Sequence, residues 1–265
     1  MTGFKDEKVR QFYAQTYDTV MEDWPGEIDF YQDLAAKYVK PDQAVLELAC
    51  GTGRIALSLA ESGKQVVGLD NSPDMIRVVR EKSQEIPQAK WIEGDMRNFL
   101  LEEHYPLIII PAHSFQNLIS VPDHISALET IFNHLLPGGR IVIHIDHLDF
   151  GWLKGLVEDK GGEFNDGGSF THPVRGCEVR NRYAWSYEPF TQTAYLESIW
   201  EIPGEDGAAK ETIESGRLSF HCFFPAEMGH LLARCGFKVE NLYGDFSLKE
   251  LQPDSMEMIW VAKKI

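Results

Sequence analysis

Apolar positions along this chain fall into short continuous runs, and between those runs they recur every three or four residues. Val45-Leu46-Glu47-Leu48-Ala49-Cys50 is one run, broken by a single acid, closed by Gly51-Thr52-Gly53 and followed by Ile55-Ala56-Leu57 and Leu59-Ala60. That pattern reads as a buried strand (about 44 to 49) turning tightly into a helix (54 to 62). The alternation continues with a strand at 65 to 70, a helix at 73 to 83, a strand at 89 to 93, a fully apolar strand at Leu107-Ile108-Ile109-Ile110, a helix from Pro122 to Leu136 and a strand at 141 to 146. Strands alternating with helices through short loops indicate βαβ units and a parallel sheet. Ahead of them, Lys5 to Val20 and Glu27 to Tyr38 carry helical patterns parted by Trp24-Pro25-Gly26.

From 148 to 219 the pattern changes. A glycine-rich stretch from Gly161 to Gly168 reads as a loop and precedes three or four runs of period two, one of which places Val179, Asn181, Tyr183, Trp185 and Tyr187 on one face. Glu188-Pro189 and Pro203-Gly204-Glu205-Asp206-Gly207 read as turns, so an antiparallel sheet is expected here. A helix from Pro225 to Cys235 and strands at 236 to 239 and 258 to 262, joined as a hairpin, then return to the main fold. The expected domains are 1–147 with 220–265, including an N-terminal helical lid, and an inserted sheet at 148–219 that covers the substrate site.

The strand-to-helix turn is a ligand site. Its glycines allow close backbone approach, and the free N–H groups at the helix start favour a negative group. Glu47 narrows the ligand further, because it repels a pyrophosphate and attracts an ammonium or a sulfonium. Asp70 closes the second strand, where an acid in a doubly wound fold accepts from ribose hydroxyls. His113 and Asn117 follow the central strand at the edge where such folds bind ligands, and His147 lies at the same edge.

Glu47-Leu48-Ala49-Cys50-Gly51-Thr52-Gly53 resembles the first motif of the class I S-adenosylmethionine (SAM) dependent methyltransferases. Val66 to Met75, Glu93-Gly94-Asp95-Met96 and Leu136-Pro137-Gly138-Gly139 continue the resemblance in order and spacing. It implies a Rossmann-like, doubly wound, seven-stranded sheet and SAM as cofactor. It also implies cofactor contacts at Tyr17, Glu47, Ala49, Gly51, Gly53, Asp70, Asn71, Met75, Asp95, Met96 and Pro111. Acceptor contacts are expected at Tyr13, His113, Asn117, His147 and Tyr243, with His113 and Tyr17 as the catalytic candidates. Leu242-Tyr243-Gly244-Asp245-Phe246 resembles a segment of the small-molecule branch, although His221 stands where that branch often has an arginine.

Composition changes the picture only at the level of partners. The 265 residues are 43% hydrophobic and carry a formal charge of −16, which disfavours nucleic acid and anionic membrane surfaces. Four separated cysteines show no metal-ligand spacing and read as reduced thiols, no metal is expected, and no run reaches the ~20 apolar residues of a membrane span. A cytoplasmic monomer or homodimer acting on a small-molecule methyl acceptor is the expectation, with nitrogen or oxygen as the methylated atom. Gly51-x-Gly53-x-x-Ala56 also fits a dinucleotide fingerprint. The alternatives are therefore a nicotinamide-dependent oxidoreductase and a SAM-binding regulatory module without transfer activity.

Overall fold

Period-two alternation sorts the apolar strand residues onto two faces of a seven-stranded sheet. The computed structural model describes residues 4, 6–21, 23–158, 163–204 and 209–265. Its larger sheet runs in the order β10-β11-β5-β4-β1-β2-β3, built from β1 (Ala44–Leu48), β2 (Gln65–Asp70), β3 (Ala89–Glu93), β4 (Tyr105–Ile110), β5 (Leu135–Asp146), β10 (Phe237–Tyr243) and β11 (Glu257–Lys264). Strands β1 to β5 pair in parallel, while β11 is antiparallel to both β5 and β10. Leu46, Leu48, Ile108, Ile110, Ile141, Ile143 and Ile145 face the cluster completed by α5 (Val121–His134) and α7 (Pro225–Arg234). Val45, Leu107, Ile109, Val142, Ile259 and Val261 face the other cluster, completed by α2 (Glu27–Tyr38) and α3 (Arg54–Glu61). A strand covered on both faces has to be continuously apolar, as these are.

The same parity fixes the polar exceptions. Glu47 alternates with Val45, His144 with Val142, and Glu257 with Ile259, so all three lie on the α2 and α3 side of the sheet. α4 (Pro73–Lys82) starts on Ser72, whose Oγ accepts from the Met75 N–H, with Pro73 in the first helical position.

The second compact unit comprises 1–22 and 149–222, the first being 23–148 with 223–265. Four antiparallel strands, β6 (Asn165–Thr171), β7 (Glu178–Glu188), β8 (Thr193–Pro203) and β9 (Ala209–His221), form it together with α1 (Glu7–Val20) and α6 (Phe150–Glu158). Val9 and Phe12 of α1 share a core with Val179, Trp200, Ile202 and Ile213 of this sheet. The expectation grouped both N-terminal helices with the main domain as one lid. In the structure α1 and α2 fall in different units, because the apolar face of α1 is buried against aromatic and branched residues of the antiparallel sheet. Asn165 to Gly168 belong to β6 rather than to a loop, and Gly161, Gly162 and Glu205-Asp206-Gly207 lie outside the described residues. β5 begins at Leu135, so Pro137-Gly138-Gly139 sits inside its irregular start instead of forming a separate turn.

Gly68 in β2 is required by close approach. A Cβ there would lie 2.5 Å from the Trp91 ring and 2.9 Å from Cys50 Sγ. The Trp91 ring is held by its Nε1 donating to Ser83 Oγ at 2.7 Å. Gly68→Ala should therefore overpack the sheet and lower stability by about 1–3 kcal/mol. Equal urea midpoints for the two proteins would show that the indole can move aside.

Candidate functional site

The carboxyl ends of β1 to β5, on one edge of the larger sheet, hold most of the residues singled out by the sequence. After β1, Ala49 and Gly51 adopt φ values of 55° and 54°, and Gly53 follows at 84°. At Gly53 a Cβ would come within 2.4 Å of Val79 Cγ2, so the turn needs glycine there for space as well as for conformation. Asp70 ends β2 and is buried. Its Oδ2 accepts from the Gly51 N–H and its Oδ1 from the Ser72 N–H, both at 2.8 Å. Burial raises the Asp70 pKa, and these backbone donors oppose the shift. Two lone pairs on this carboxylate remain for further donors.

Glu47 is 2% exposed and its Oε2 has no hydrogen-bond partner. Burial pushes its pKa up to about 8, against the opposing effects of Arg54 and of the Ala56 backbone N–H in the first turn of α3. Met75 and Met96 are buried in the apolar interior, and Pro111 is buried directly after β4. Asn71 sits half-buried between Asp70 and the Ser72 cap. Asp95 is clamped by Arg97, whose Nη2 lies 2.6 Å from Oδ2 and whose Nε lies 3.0 Å from Oδ1. The Arg97 hydrogen bonds hold the Asp95 carboxyl below its usual range.

Following β4, Ala112 and His113 are both left-handed, at φ 52° and 59°, which is costly for non-glycine residues. The strained pair aims the His113 ring into a polar cluster. Its Nδ1 lies 2.9 Å from Asp146 Oδ1 and its Nε2 lies 2.7 Å from Glu257 Oε2. His144 Nε2 lies 2.8 Å from the same Glu257 oxygen and 3.2 Å from His113 Nε2. Trp24 Nε1 donates to Glu257 Oε1 at 2.7 Å, and Arg54 Nη1 donates to Glu27 Oε2 at 2.6 Å. Burial pulls the His113 pKa down, but hydrogen bonds to Asp146 and Glu257 outweigh it and hold the ring at about 9. For His144 burial prevails and brings it to about 4. Burial raises Glu257, yet its two histidine partners pull it down to about 2. Glu257 and Trp24 also line a cavity of about 710 Å³ together with Pro25, Phe246, Lys249 and Met256.

The remaining candidates are placed as follows. Asn117 ends a short 3-10 helix (Ser114–Asn117) and its Nδ2 donates to the Ser114 carbonyl at 3.0 Å. His147 Nδ1 lies 2.7 Å from the Ser255 carbonyl. Tyr243 packs edge-on against Phe30, with ring centroids 6.2 Å apart, in the cluster under α2. Tyr13 and Tyr17 belong to α1, where their rings meet edge to face at 5.6 Å. Trp24, Glu27, Arg54, His144, Asp146 and Glu257 were not singled out beforehand. The one available signal was a histidine inside the apolar run Ile141 to Ile145.

A family model described as a methyltransferase domain matches residues 45–139. Over 261 residues the chain is 24% identical to the putative methyltransferase YqeM of Bacillus subtilis (strain 168), covering 97% of each. Over 134 residues it is 31% identical to the dTDP-3-amino-3,6-dideoxy-alpha-D-glucopyranose N,N-dimethyltransferase of Streptomyces fradiae, covering 49% of this chain and 51% of that protein. The solved structure of the CcbJ methyltransferase from Streptomyces caelestis shares the fold, with a TM-score of 0.76, 20% identity and 97% of each chain covered. Residues 45–139 thus carry a methyltransferase domain of the SAM-dependent kind, for which the cofactor is SAM. No helix among the described residues is long and apolar enough to cross a membrane.

Glu47 links this site to stability. In an unfolded chain it titrates near ~4.3, against about 8 in the fold. Between those values the folded state keeps a proton that the unfolded chain has lost, so stability falls as pH rises through this window. Glu47→Gln should therefore raise the unfolding free energy of the ligand-free protein, read from urea titration at pH 8, by on the order of 1–3 kcal/mol, and do so much less at pH 5. A difference independent of pH would show that Glu47 ionises normally.

Proposed function

We propose that the chain transfers a methyl group from SAM to a nitrogen or oxygen of a small molecule, with nitrogen favoured, and that the cofactor lies along the carboxyl ends of β1, β2 and β3. The buried Glu47 carboxyl carries this reading. One of its oxygens has no hydrogen-bond partner among the described residues, and it faces a turn where a cationic ligand would complete it and a pyrophosphate would not. In this proposal Gly51, Gly53 and Ala49 shape the turn, the spare lone pairs of Asp70 take the ribose hydroxyls, and Asn71, Met75, Asp95, Met96 and Pro111 border the cofactor. Tyr13 and Tyr17 keep the roles implied by the resemblance.

For the acceptor, His113 is decisive. Both of its ring nitrogens are engaged by carboxylates, so the ring offers no lone pair to a hydroxyl proton. Displacement at an activated methyl is governed by positioning, which supplies ~7–11 kcal/mol, whereas a base adds only ~3–5 kcal/mol. An amine that arrives neutral needs only the first. The similarity to a protein named for dimethylating an amino sugar supports nitrogen as well. Asn117 and His147 are the proposed acceptor contacts at the ends of β4 and β5, while Tyr243 supports the site through its packing on Phe30.

Calorimetry should show S-adenosylhomocysteine binding, weakened in Asp70→Ala by about 1.5–3 kcal/mol through loss of charge-assisted hydroxyl contacts. Incubation with methyl-13C SAM and a panel of amino sugars and other small amines should give a carbon signal in the N-methyl region. Signals only in the O-methyl region would move the choice to oxygen. Binding without any methylated product would favour a regulatory module, and no binding by a folded sample would remove the cofactor assignment.

A further inference from the structure

The cluster at the ends of β4, β5 and β11 contains three donor atoms that converge on one point. His113 Nε2, His144 Nε2 and Glu257 Oε2 are separated by 2.7, 2.8 and 3.2 Å. Ligand atoms about 2.1 Å from one ion lie about 3.0 Å apart when their bonds meet at right angles, and about 3.4 Å apart in a tetrahedron. The observed separations straddle the right-angle value. We propose that His113, His144 and Glu257 form a facial two-histidine, one-carboxylate site for a divalent first-row transition ion.

Read as a plain hydrogen-bonded network, the trio places two N–H donors on one carboxylate oxygen, which can accept both. For both histidines to donate to Glu257 Oε2, two N–H groups must share one oxygen while their nitrogens stand 3.2 Å apart. An ion at the focus replaces both protons with lone pairs. Imidazole and carboxylate together suit first-row transition ions rather than magnesium or calcium.

The far side of each ligand is arranged as such sites require. His113 Nδ1 lies against Asp146 Oδ1 at 2.9 Å, an acid that orients the ring and raises its basicity. Trp24 Nε1 fixes the second oxygen of Glu257 at 2.7 Å. Beyond His144, Nδ1 faces Glu27 Oε1 at 4.0 Å, and that side chain is fully buried. Glu27 Oε1 has no hydrogen-bond partner. With the proton of His144 on Nε2, two lone pairs face each other there, and Nδ1 has only the Ala112 N–H at 3.3 Å. Moving that proton to Nδ1 gives up the Ala112 hydrogen bond, but it frees Nε2 for the ion and turns an N–H toward the Glu27 oxygen 4.0 Å away. Access is present as well, since Glu257 lines the 710 Å³ cavity and the His113 side chain is 23% exposed. The site stands on this geometry alone and does not depend on the acceptor reading.

Metal-free protein, prepared with a chelator and dialysed, should be titrated with cobalt(II) chloride while the visible d–d bands are followed, and with zinc chloride by calorimetry, in both cases without SAM. One ion per chain is expected, with a cobalt spectrum lost in Glu257→Gln and in His144→Gln. Asp146 is half-exposed and touches the ion only through His113, so Asp146→Asn should fold normally and weaken the affinity by about 10–100-fold. The exposed His230 provides the control, and His230→Gln should bind as the parent does. Circular dichroism establishes that each variant is folded. Absence of saturable binding by the folded parent overturns the proposal, as does unchanged affinity in folded Glu257→Gln and Asp146→Asn.

Discussion

The structure depends on keeping four carboxylates largely out of water at one edge of one sheet. Glu27, Glu47 and Asp70 are buried, and the Glu257 side chain is 14% exposed. An isolated buried carboxylate is costly unless it is paired or protonated. Each of the four has found a different remedy. Arg54 sits on Glu27, two backbone N–H groups sit on Asp70, the start of α3 faces Glu47, and the two histidines meet Glu257. Two of the remedies are incomplete, since Glu27 Oε1 and Glu47 Oε2 have no hydrogen-bond partner among the described residues. Burial raises the pKa of Glu27, Glu47 and Asp70, so a cation bound at this edge would favour their ionised forms, and the ammonium and sulfonium of SAM are cations.

Parallel pairing explains why these groups meet. A sheet of βαβ units brings the carboxyl ends of all its parallel strands to one side, and β11, although antiparallel, starts on that side with Glu257 opposite Asp146. Period-two alternation then turns Glu47, His144 and Glu257 toward the same covering helices, α2 and α3, which contribute Glu27 and Arg54. Backbone strain is concentrated at the same place, with Ala49, Ala112 and His113 in the left-handed region. Such conformations cost about 1–2 kcal/mol per residue and persist where the surrounding contacts dictate them.

How far this could be read in advance follows from the same geometry. The elements of the larger sheet were legible because each is encoded locally, by an apolar run or by a helical repeat with its cap. Glu47, Gly51, Gly53 and Asp70 were legible because they stand close together in a motif. His144 and Glu257 are separated by 113 positions, and a lone histidine in an apolar run is the one local mark on either. Only the order β5-β11 makes them neighbours. α1 misled for a related reason. Its aromatic residues signal burial without naming the surface that buries them, and Phe12 turns out to pack on Trp200, with ring centroids 5.1 Å apart. Tyr243 likewise carries an aromatic signal that packing under α2 accounts for.

His113 shows why residue type and position do not suffice to assign a role. A histidine after the central strand of such a fold has the usual credentials of a general base. Basicity, however, requires an available lone pair, and here one ring nitrogen faces Asp146 while the other faces Glu257. Whether a proton or an ion occupies the Nε2 side, neither arrangement leaves a ring nitrogen to accept from a substrate. The neighbouring carboxylates that would strengthen a base are placed so closely that they consume it. On the proposed reading, rate enhancement at this edge comes from holding the nucleophile against the methyl group, and that requirement favours acceptors whose lone pair is present before they bind.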